Sequence, residues 1–567
     1  MDFSIVCYIL LIPVLLLIFS PWRPIQFLFE KLSIYHRVII LVLTILLAAN
    51  VLVFHFWGNM LNYRAMTYLA DPAEMLNSFT GLQIIAVIII LTFLIAISWF
   101  SFKKFTKANS SATEKYSWKI HLTSIILLPL IIVTGIRGGW QMLPLNESLV
   151  SYSSNNYLNQ AAFNPAWHLM YDVQNAGLTE SNPFNKMEKD VADNVVAKLY
   201  ESASDSIPEI FITNRPNIVF IILESHTADV VGALGGEKNV SPNIDSLSND
   251  GLLFENIYSS GGRTDQGIVS ALNGWPATPY HSIMRSTEKS KLLPSLPKDF
   301  KAKGYRTSFY YGGESNFSNM NVYLLNQGFD VIFDEKSFPA GTAHGKWGIY
   351  DQYLFAQQEK DLRSTTQPFL SVMMTLSTHE PFDVPGQSRF KGNSEANLFR
   401  NAAAYTDSCL GAYLHSVKKE PWYPNTLFII VADHGHRLPK YRSELQPETR
   451  HIPLLFYGEV VKPEFRGMRI ATWGSHHDIA KTLLTQLKMP AEKYSWSKNL
   501  LSPGVRNFAY YQIESVVGWI EDRNYVVYLY PDEGLLIDSA GTKARSDELL
   551  LHGQAYVQKL YSEYLAY

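Results

Sequence analysis

The chain has almost no cysteine: Cys7 and Cys409 are the only two among 567 residues. Two thiols cannot build a disulfide framework, and Cys7 falls in an apolar run, so cross-links do not organise this fold and do not fix its compartment. A strong excess of one charge is also missing, because the formal net charge is only −3. The small imbalance is uneven: residues 1–136 hold nine Lys/Arg against five Asp/Glu, and the remainder holds 39 against 46. A mildly acidic globular part argues against nucleic acid as a partner. The first apolar run, residues 3–20, lacks a basic leading segment and a small-residue cleavage site, which favours a retained membrane span over a signal peptide.

What the chain does have is a concentration of apolar sequence at its start. Residues 3–20, 38–57, 82–100 and 120–136 are each long enough to cross a hydrocarbon layer of about 30 Å. Trp22, Trp57, Trp99 and Trp140 stand at the ends of these runs, where interfacial aromatics sit. Residues 21–37 carry Arg23, Lys31 and Arg37, residues 101–119 carry five lysines, and residues 58–81 carry only Arg64. Basic loops stay cytoplasmic, so everything after Arg137 is expected on the outer face. The chain is too long for a single core. We expect a membrane domain of about four helices over 1–140, a juxtamembrane linker with helices over 141–214, a globular domain over 215–490 and a small α+β subdomain over 491–567. In the linker, Trp140, Trp167 and Tyr171 suit either a lipid interface or packing on protein.

From Asn217 onward, short β-branched runs alternate with helical segments. Residues 218–223, 306–311, 369–375, 426–432 and 453–457 read as strands. Residues 265–272, 316–326, 350–363 and 395–417 read as helices between them. Such alternation predicts an α/β fold with a mostly parallel sheet covered on both faces, whose ligands gather beyond the carboxyl ends of the strands. Polar residues at those ends therefore count most. The first strand runs into Glu224-Ser-His226, and a later one into Asp433-His434-Gly-His436. Between them in sequence lies Gly261-Gly-Arg-Thr264-Asp-Gln-Gly267, with Thr264 at the start of a helix, where backbone N–H groups favour an anion. Each feature has a plain structural reading: Thr264 as an N-cap, Glu224 as a helix cap and Asp433-His434 as a turn. Together they supply carboxylate, imidazole and hydroxyl groups for a divalent cation such as Mn²⁺ or Zn²⁺. A hydroxyl on such a cation loses its proton more easily. Thr264 could then attack phosphorus and form a phosphothreonine.

These residues resemble a known family. Asn217 to Ser225, Ser241-Pro-Asn-Ile-Asp245, Gly262-Arg-Thr264-Asp-Gln-Gly267, Ser377-Thr-His379-Glu-Pro-Phe382, Ala432-Asp-His-Gly435 and Ser475 to Leu484 fall in the order of a sulfatase-like domain of the alkaline phosphatase superfamily. With the apolar runs before it, the chain resembles a lipoteichoic acid synthase-type phosphoglycerol transferase. The resemblance implies Thr264 as nucleophile and Glu224, Thr264, Asp433 and His434 as ligands of one divalent ion, Mn²⁺ first and Zn²⁺ or Mg²⁺ as alternatives. It implies His379 as a phosphate- or headgroup-binding residue. It also likens Trp347, in His344-Gly-Lys-Trp-Gly-Ile-Tyr-Asp351, to a glycerol-phosphate-contacting tryptophan, although the polymerases carry Arg where this chain has Ile349. Thr in place of a formylglycine precursor argues against sulfate-ester hydrolysis.

Further residues have two readings each. Arg263 suits a phosphate oxygen or a surface ion pair. His436, His451 and His476 suit a second cation or the leaving oxygen, or else a satisfied core. The implied partners are phosphatidylglycerol as donor and a glycan or glycolipid as acceptor, at the bacterial cytoplasmic membrane with the catalytic domain outside. Phosphoethanolamine transfer is the nearest alternative reaction, and a catalytically silent envelope scaffold is the alternative of another class. Beyond residue 490, residues 507–512 and 525–530 are expected to pair as strands, and 547–564 to close the chain as a helix.

Overall fold

A computed structural model of the protein describes residues 1–18, 25–57, 60–62, 66, 85, 88–97, 99–100, 118–141, 143–153, 155–175, 181–201, 207–530 and 534–567. The chain divides into two compact units, Met1–Leu178 and Thr179–Tyr567. The first unit is helical, with long helices at Asp2–Ile18, Ile25–Trp57 and Trp118–Arg137. The segment Ile34–His55, with a mean hydropathy of 2.7, is long and apolar enough to cross a membrane; Asp2–Leu16, Ile88–Ile97 and Leu122–Arg137 are shorter apolar helices. Most of the basic loop expected at 101–119, most of the loop at 58–81 and much of the start of the third apolar run lie outside the described residues. The Ser4 hydroxyl donates to the Ile136 carbonyl at 3.0 Å and the Tyr35 hydroxyl to the Ile9 carbonyl at 2.7 Å, which tie these helices together. Of the tryptophans weighed for a lipid interface, Trp167 is buried against Tyr171, and Trp140 is exposed.

The second unit is built on an eight-stranded sheet: β1 (Asn217–Leu223), β2 (Leu252–Tyr258), β3 (Arg306–Tyr311), β4 (Val331–Phe333), β5 (Phe369–Met374), β6 (Thr426–Ala432), β7 (His451–Tyr457) and β8 (Arg469–Ser475). Their spatial order is β4-β3-β5-β1-β6-β7-β2-β8. β7 is antiparallel to both its neighbours, β6 and β2, and every other pairing is parallel. The sequence expectation of a mostly parallel sheet is met, with one strand reversed. β1 and β6 are buried along their whole length, as central strands covered by helices on both faces must be. That is why Ile-Val-Phe-Ile-Ile-Leu and Leu-Phe-Ile-Ile-Val-Ala read as continuous apolar runs rather than alternating ones.

A second sheet of four antiparallel strands follows: β9 (Phe508–Ile513), β10 (Val516–Glu521), β11 (Asn524–Leu529) and β12 (Leu535–Asp538), in the order β12-β11-β10-β9. The two strands expected to pair with each other, at 507–512 and 525–530, instead both pair with β10, which lies between them. The helix Lys543–Ala566 closes the chain and packs beside the helix Lys189–Leu199. The second sheet is fastened to the first by the Gln512 amide donating to the Ser260 carbonyl at 3.0 Å and by the Tyr511 hydroxyl on the Leu445 carbonyl at 2.7 Å.

Candidate active site

The register of the central strands brings the first two candidate residues together. β1 and β6 are parallel neighbours with Leu223 opposite Ala432, so Glu224 and Asp433, the next residue of each, leave the sheet side by side. Ser225 takes a positive φ of 51° immediately after Glu224. Its amide donates to Asp433 Oδ1 at 2.8 Å, and its hydroxyl to Glu224 Oε1 at 2.8 Å. The chain turns at Ser225 and locks both carboxylates as it does so.

Thr264 arrives on a helix packed closely against the end of β6. The helix is Thr264–Asn273, Arg263 is its N-cap, and Thr264 is its first helical residue. The N-cap reading of Thr264 is therefore not the observed one, and its hydroxyl is free to donate to Glu224 Oε2 at 3.2 Å. Gly267, one turn on, explains the close approach: a Cβ there would lie 2.3 Å from the Asp433 carbonyl oxygen and 2.7 Å from its carbon.

His434 completes the group. Its Nδ1 lies 2.8 Å from the Gly435 carbonyl oxygen, so the ring proton sits there and the Nε2 lone pair, beside the carboxylate oxygens, is left as a donor atom for a cation. Nε2 is 3.6 Å from Glu224 Oε1 and 3.4 Å from Asp433 Oδ2. One ligand atom from each of Glu224, Asp433 and His434 lies within 4.8 Å of the others, and all three residues are buried. Burial, with the Asp433 charge added, pushes Glu224 up to about 7, and burial pushes Asp433 up to about 7. Asp433 Oδ2 is buried without a hydrogen-bond partner. Two adjacent buried carboxylates, one with an unsatisfied oxygen, beside a neutral imidazole and a hydroxyl, are a donor set that fits a divalent cation such as Mn²⁺, Zn²⁺ or Mg²⁺.

The cluster opens into a cleft of about 350 Å³, lined also by Arg263, His379 and His436. Trp347 lines an adjoining groove that shares His379. The two rings lie 4.5 Å apart, and the indole N–H donates to the Glu380 carbonyl at 2.5 Å. Arg263 lines the cleft and also lies 3.7 Å from Glu514, the surface ion pair of its second reading. His436 is stacked on Phe399 at 4.7 Å. Its Nδ1 accepts from the Leu438 amide at 3.1 Å, which places the ring proton on Nε2, and burial holds its pKa down at about 3, so it is a neutral donor. His476 does not line the cleft: it is fully buried, and among the described residues neither ring nitrogen has a hydrogen-bond partner. His451 is a satisfied core residue, with Nε2 2.7 Å from the Glu255 carbonyl oxygen and its ring stacked on Tyr258.

Sequence reasoning missed several cleft residues. Arg285 holds the buried Asp265, next to Thr264, at 2.8 Å, Arg437 pairs with Glu395 at 2.9 Å, and Arg450 pairs with Glu444 at 2.9 Å. With Arg263 they put four guanidinium groups on the cleft wall, each paired with a carboxylate. Arg450 was detectable only by knowing that β7 is reversed.

A central sheet of this topology, with a hydroxyl at a helix start facing carboxylates and an imidazole at the carboxyl ends of its middle strands, is an alkaline phosphatase-like fold. Residues 216–489, just under half of the chain, match the Sulfatase family model, and this segment is similar to sulfatase domains of the alkaline phosphatase superfamily. It is 22% identical over 306 residues to lipoteichoic acid synthase 2 of Bacillus subtilis, covering 50% of this chain and 46% of that protein. It is 25% identical over 324 residues to phosphoglycerol transferase I of Xanthomonas axonopodis, covering 54% and 43%. The chain thus spans about half the length of the curated relatives it matches. Among solved structures, a protein in the alkaline phosphatase superfamily from Vibrio parahaemolyticus is similar with a TM-score of 0.58 and 25% identity, over 67% of this chain and 97% of that one.

Proposed function

We propose that the protein is a metal-dependent phosphoglycerol transferase that takes its headgroup from phosphatidylglycerol through a phosphothreonine at Thr264. The observation that carries this reading is the Thr264 hydroxyl, donated at 3.2 Å to one of two buried carboxylates in a cleft walled by arginines. The relatives named as phosphoglycerol transferase and lipoteichoic acid synthase support the choice of headgroup.

Glu224, Asp433, His434 and Thr264 would hold the cation, which supplies charge to lower the hydroxyl pKa and to polarise a phosphoryl oxygen. The chain's own residues do the rest. The helix start and Gly267 hold Thr264 Oγ1 against the carboxylates, in position to attack phosphorus. The Oγ1–P bond forms, the bond from phosphorus to the diacylglycerol oxygen breaks, and the proton lost by Thr264 is balanced by the one the departing oxygen gains. His436, with its proton on Nε2, is placed to hydrogen-bond that oxygen. His379 and Trp347 hold the glycerol end of the headgroup, and Arg263 a phosphoryl oxygen. In the second half, an acceptor hydroxyl of a glycan or glycolipid attacks the same phosphorus, the Oγ1–P bond breaks, and the proton the acceptor loses is balanced by the one Thr264 Oγ1 regains.

The reading places this chemistry outside a bacterial cytoplasmic membrane, after about four spans, with 141–214 as a linker and 491–567 as a subdomain buttressing the catalytic one. Tethering beside the bilayer raises the effective concentration of a lipid donor. Purified protein given labelled phosphatidylglycerol and, separately, labelled phosphatidylethanolamine tests the headgroup. Diacylglycerol release from the first alone is expected; release from the second alone would replace phosphoglycerol with phosphoethanolamine, and release from neither would favour a scaffold.

A further inference from the structure

Arg450 occupies the site edge because β7 runs backwards. The residue just before β7 lies at the same edge of the sheet as the residues that follow β1, β6 and β2, since Tyr258 is paired with His451. The Arg450 carbonyl accepts from the Ser259 amide at 2.8 Å, which joins it to the loop that leads to the nucleophile. Its side chain is only 5% exposed. Among the described residues its guanidinium makes one hydrogen bond, from Nη2 to Glu444 Oε2 at 2.9 Å, and Nε is buried with no partner. The plane lies flat against Gly262: a Cβ there would stand 3.0 Å from Nη1 and 3.1 Å from both Cζ and Nη2. That glycine lets a cation sit two residues from Thr264. Glu444, by contrast, has a side chain 50% exposed and belongs to a surface segment.

A buried cation with an idle donor, faced by a single half-exposed carboxylate, is an incompletely filled anion site. A guanidinium receives a carboxylate and a phosphoryl group with the same forked geometry. We infer that Arg450 and Glu444 form an exchangeable anion subsite, in which the Glu444 carboxylate holds Arg450 in the free protein and a phosphoryl oxygen of the substrate displaces it. The inference rests on the phosphoryl-transfer reading of the cleft. Arg450 remains paired in both states, so the exchange never strands a buried charge, and Glu444 returns to solvent. Glu444 is then an internal competitor that sets how strongly an anion must bind to enter.

The test uses the full chain in detergent with Mn²⁺ and inorganic phosphate as the probe, read by titration calorimetry. Glu444→Gln is expected to bind phosphate several-fold more tightly, because the competitor has lost its charge. Arg450→Gln is expected to bind at least tenfold more weakly, and the double variant to match Arg450→Gln. Arg363→Gln, which breaks an exposed pair with Glu359 and Glu420, should leave phosphate affinity unchanged. If the pair only braces the loop, Glu444→Gln and Arg450→Gln will weaken binding alike; that outcome, or no phosphate affinity in the parent, overturns the inference. Should Arg450→Gln fail to fold, Glu444→Gln alone decides, since bracing predicts no gain. Diacylglycerol release measured on the same samples separates the two readings: none from the parent, with the phosphate pattern intact, refutes the proposed reaction and not the subsite.

Discussion

Replacing Gly267 with alanine should inactivate the protein without touching any reacting group. In an open helix the change would be favourable, by about 1 kcal/mol of helix propensity. Here the added carbon would lie 2.3 Å from the Asp433 carbonyl oxygen, 2.7 Å from its carbon and 2.8 Å from its Cα. All three atoms are backbone, so no rotamer change relieves the contact. Restoring an ordinary separation needs a shift of roughly 1 Å between the helix and the end of β6, and overpacking of this kind costs about 1–3 kcal/mol. The same shift separates Thr264 from Glu224, now joined by a 3.2 Å hydrogen bond. A misplacement of about 1 Å at a reacting centre is worth on the order of 100-fold in rate. The assay is diacylglycerol release at saturating lipid, with thermal unfolding in parallel. A variant that stays folded and retains activity within about threefold would refute the claim that close helix approach positions the nucleophile.

Three further predictions follow from the same structure. Chelation should abolish transfer and lower the unfolding temperature, and metal at about 100 times its dissociation constant should restore about 2.7 kcal/mol of stability, read by calorimetry with and without Mn²⁺; Asp433→Asn should weaken metal binding by tenfold or more. In the C-terminal sheet, burial opposes ionisation of Glu521, but the His552 hydrogen bond and the His552 and Arg506 charges outweigh it and hold the carboxyl at about 2, against an ordinary 4.5. A depressed carboxyl stabilises above its unfolded pKa, so up to about 3 kcal/mol should be lost as pH falls from about 4.5 to about 2, and Glu521→Gln should flatten that part of the stability curve measured by urea unfolding. Tyr511→Phe, which removes the hydroxyl donated to the Leu445 carbonyl at 2.7 Å, should cost about 1 kcal/mol in urea unfolding and leave the Thr264–Glu224 chemistry intact.

The sequence made the middle of the sheet legible because β1 and β6 are continuous buried runs that end in Glu224 and Asp433, and parallel strands place such ends together. The helix Glu395–Val417 was equally plain, with a capping Ser394 and a sustained apolar period. β2, β4 and β8 were missed for physical reasons. β4 is only three residues long; β8 is half exposed over most of its length and contains Gly474, and β2 mixes Glu255 and Asn256 into its run, so neither of these shows a clean period. Collecting polar residues only at the carboxyl ends of strands presumed a single strand direction, and Arg450 escaped because it precedes the one reversed strand. The pairing of β9 and β11 through β10 was hidden in the same way: Val-Val-Gly-Trp-Ile-Glu at 516–521 is strand-like, yet its central Gly518 breaks the pattern. That glycine sits against the Tyr511 ring. His476 could not be separated from His436 by sequence, because both follow strands and only three-dimensional placement puts one in the cleft and the other in the core.

The central claim is that Thr264 becomes covalently phosphorylated by a lipid headgroup. The most direct measurement is mass spectrometry of the full-length protein quenched during turnover with phosphatidylglycerol and Mn²⁺. The account predicts a glycerophosphoryl adduct on the peptide containing Thr264, absent from Thr264→Ala together with diacylglycerol release. Release by Thr264→Ala at the parent rate, or an adduct on another residue, would contradict it.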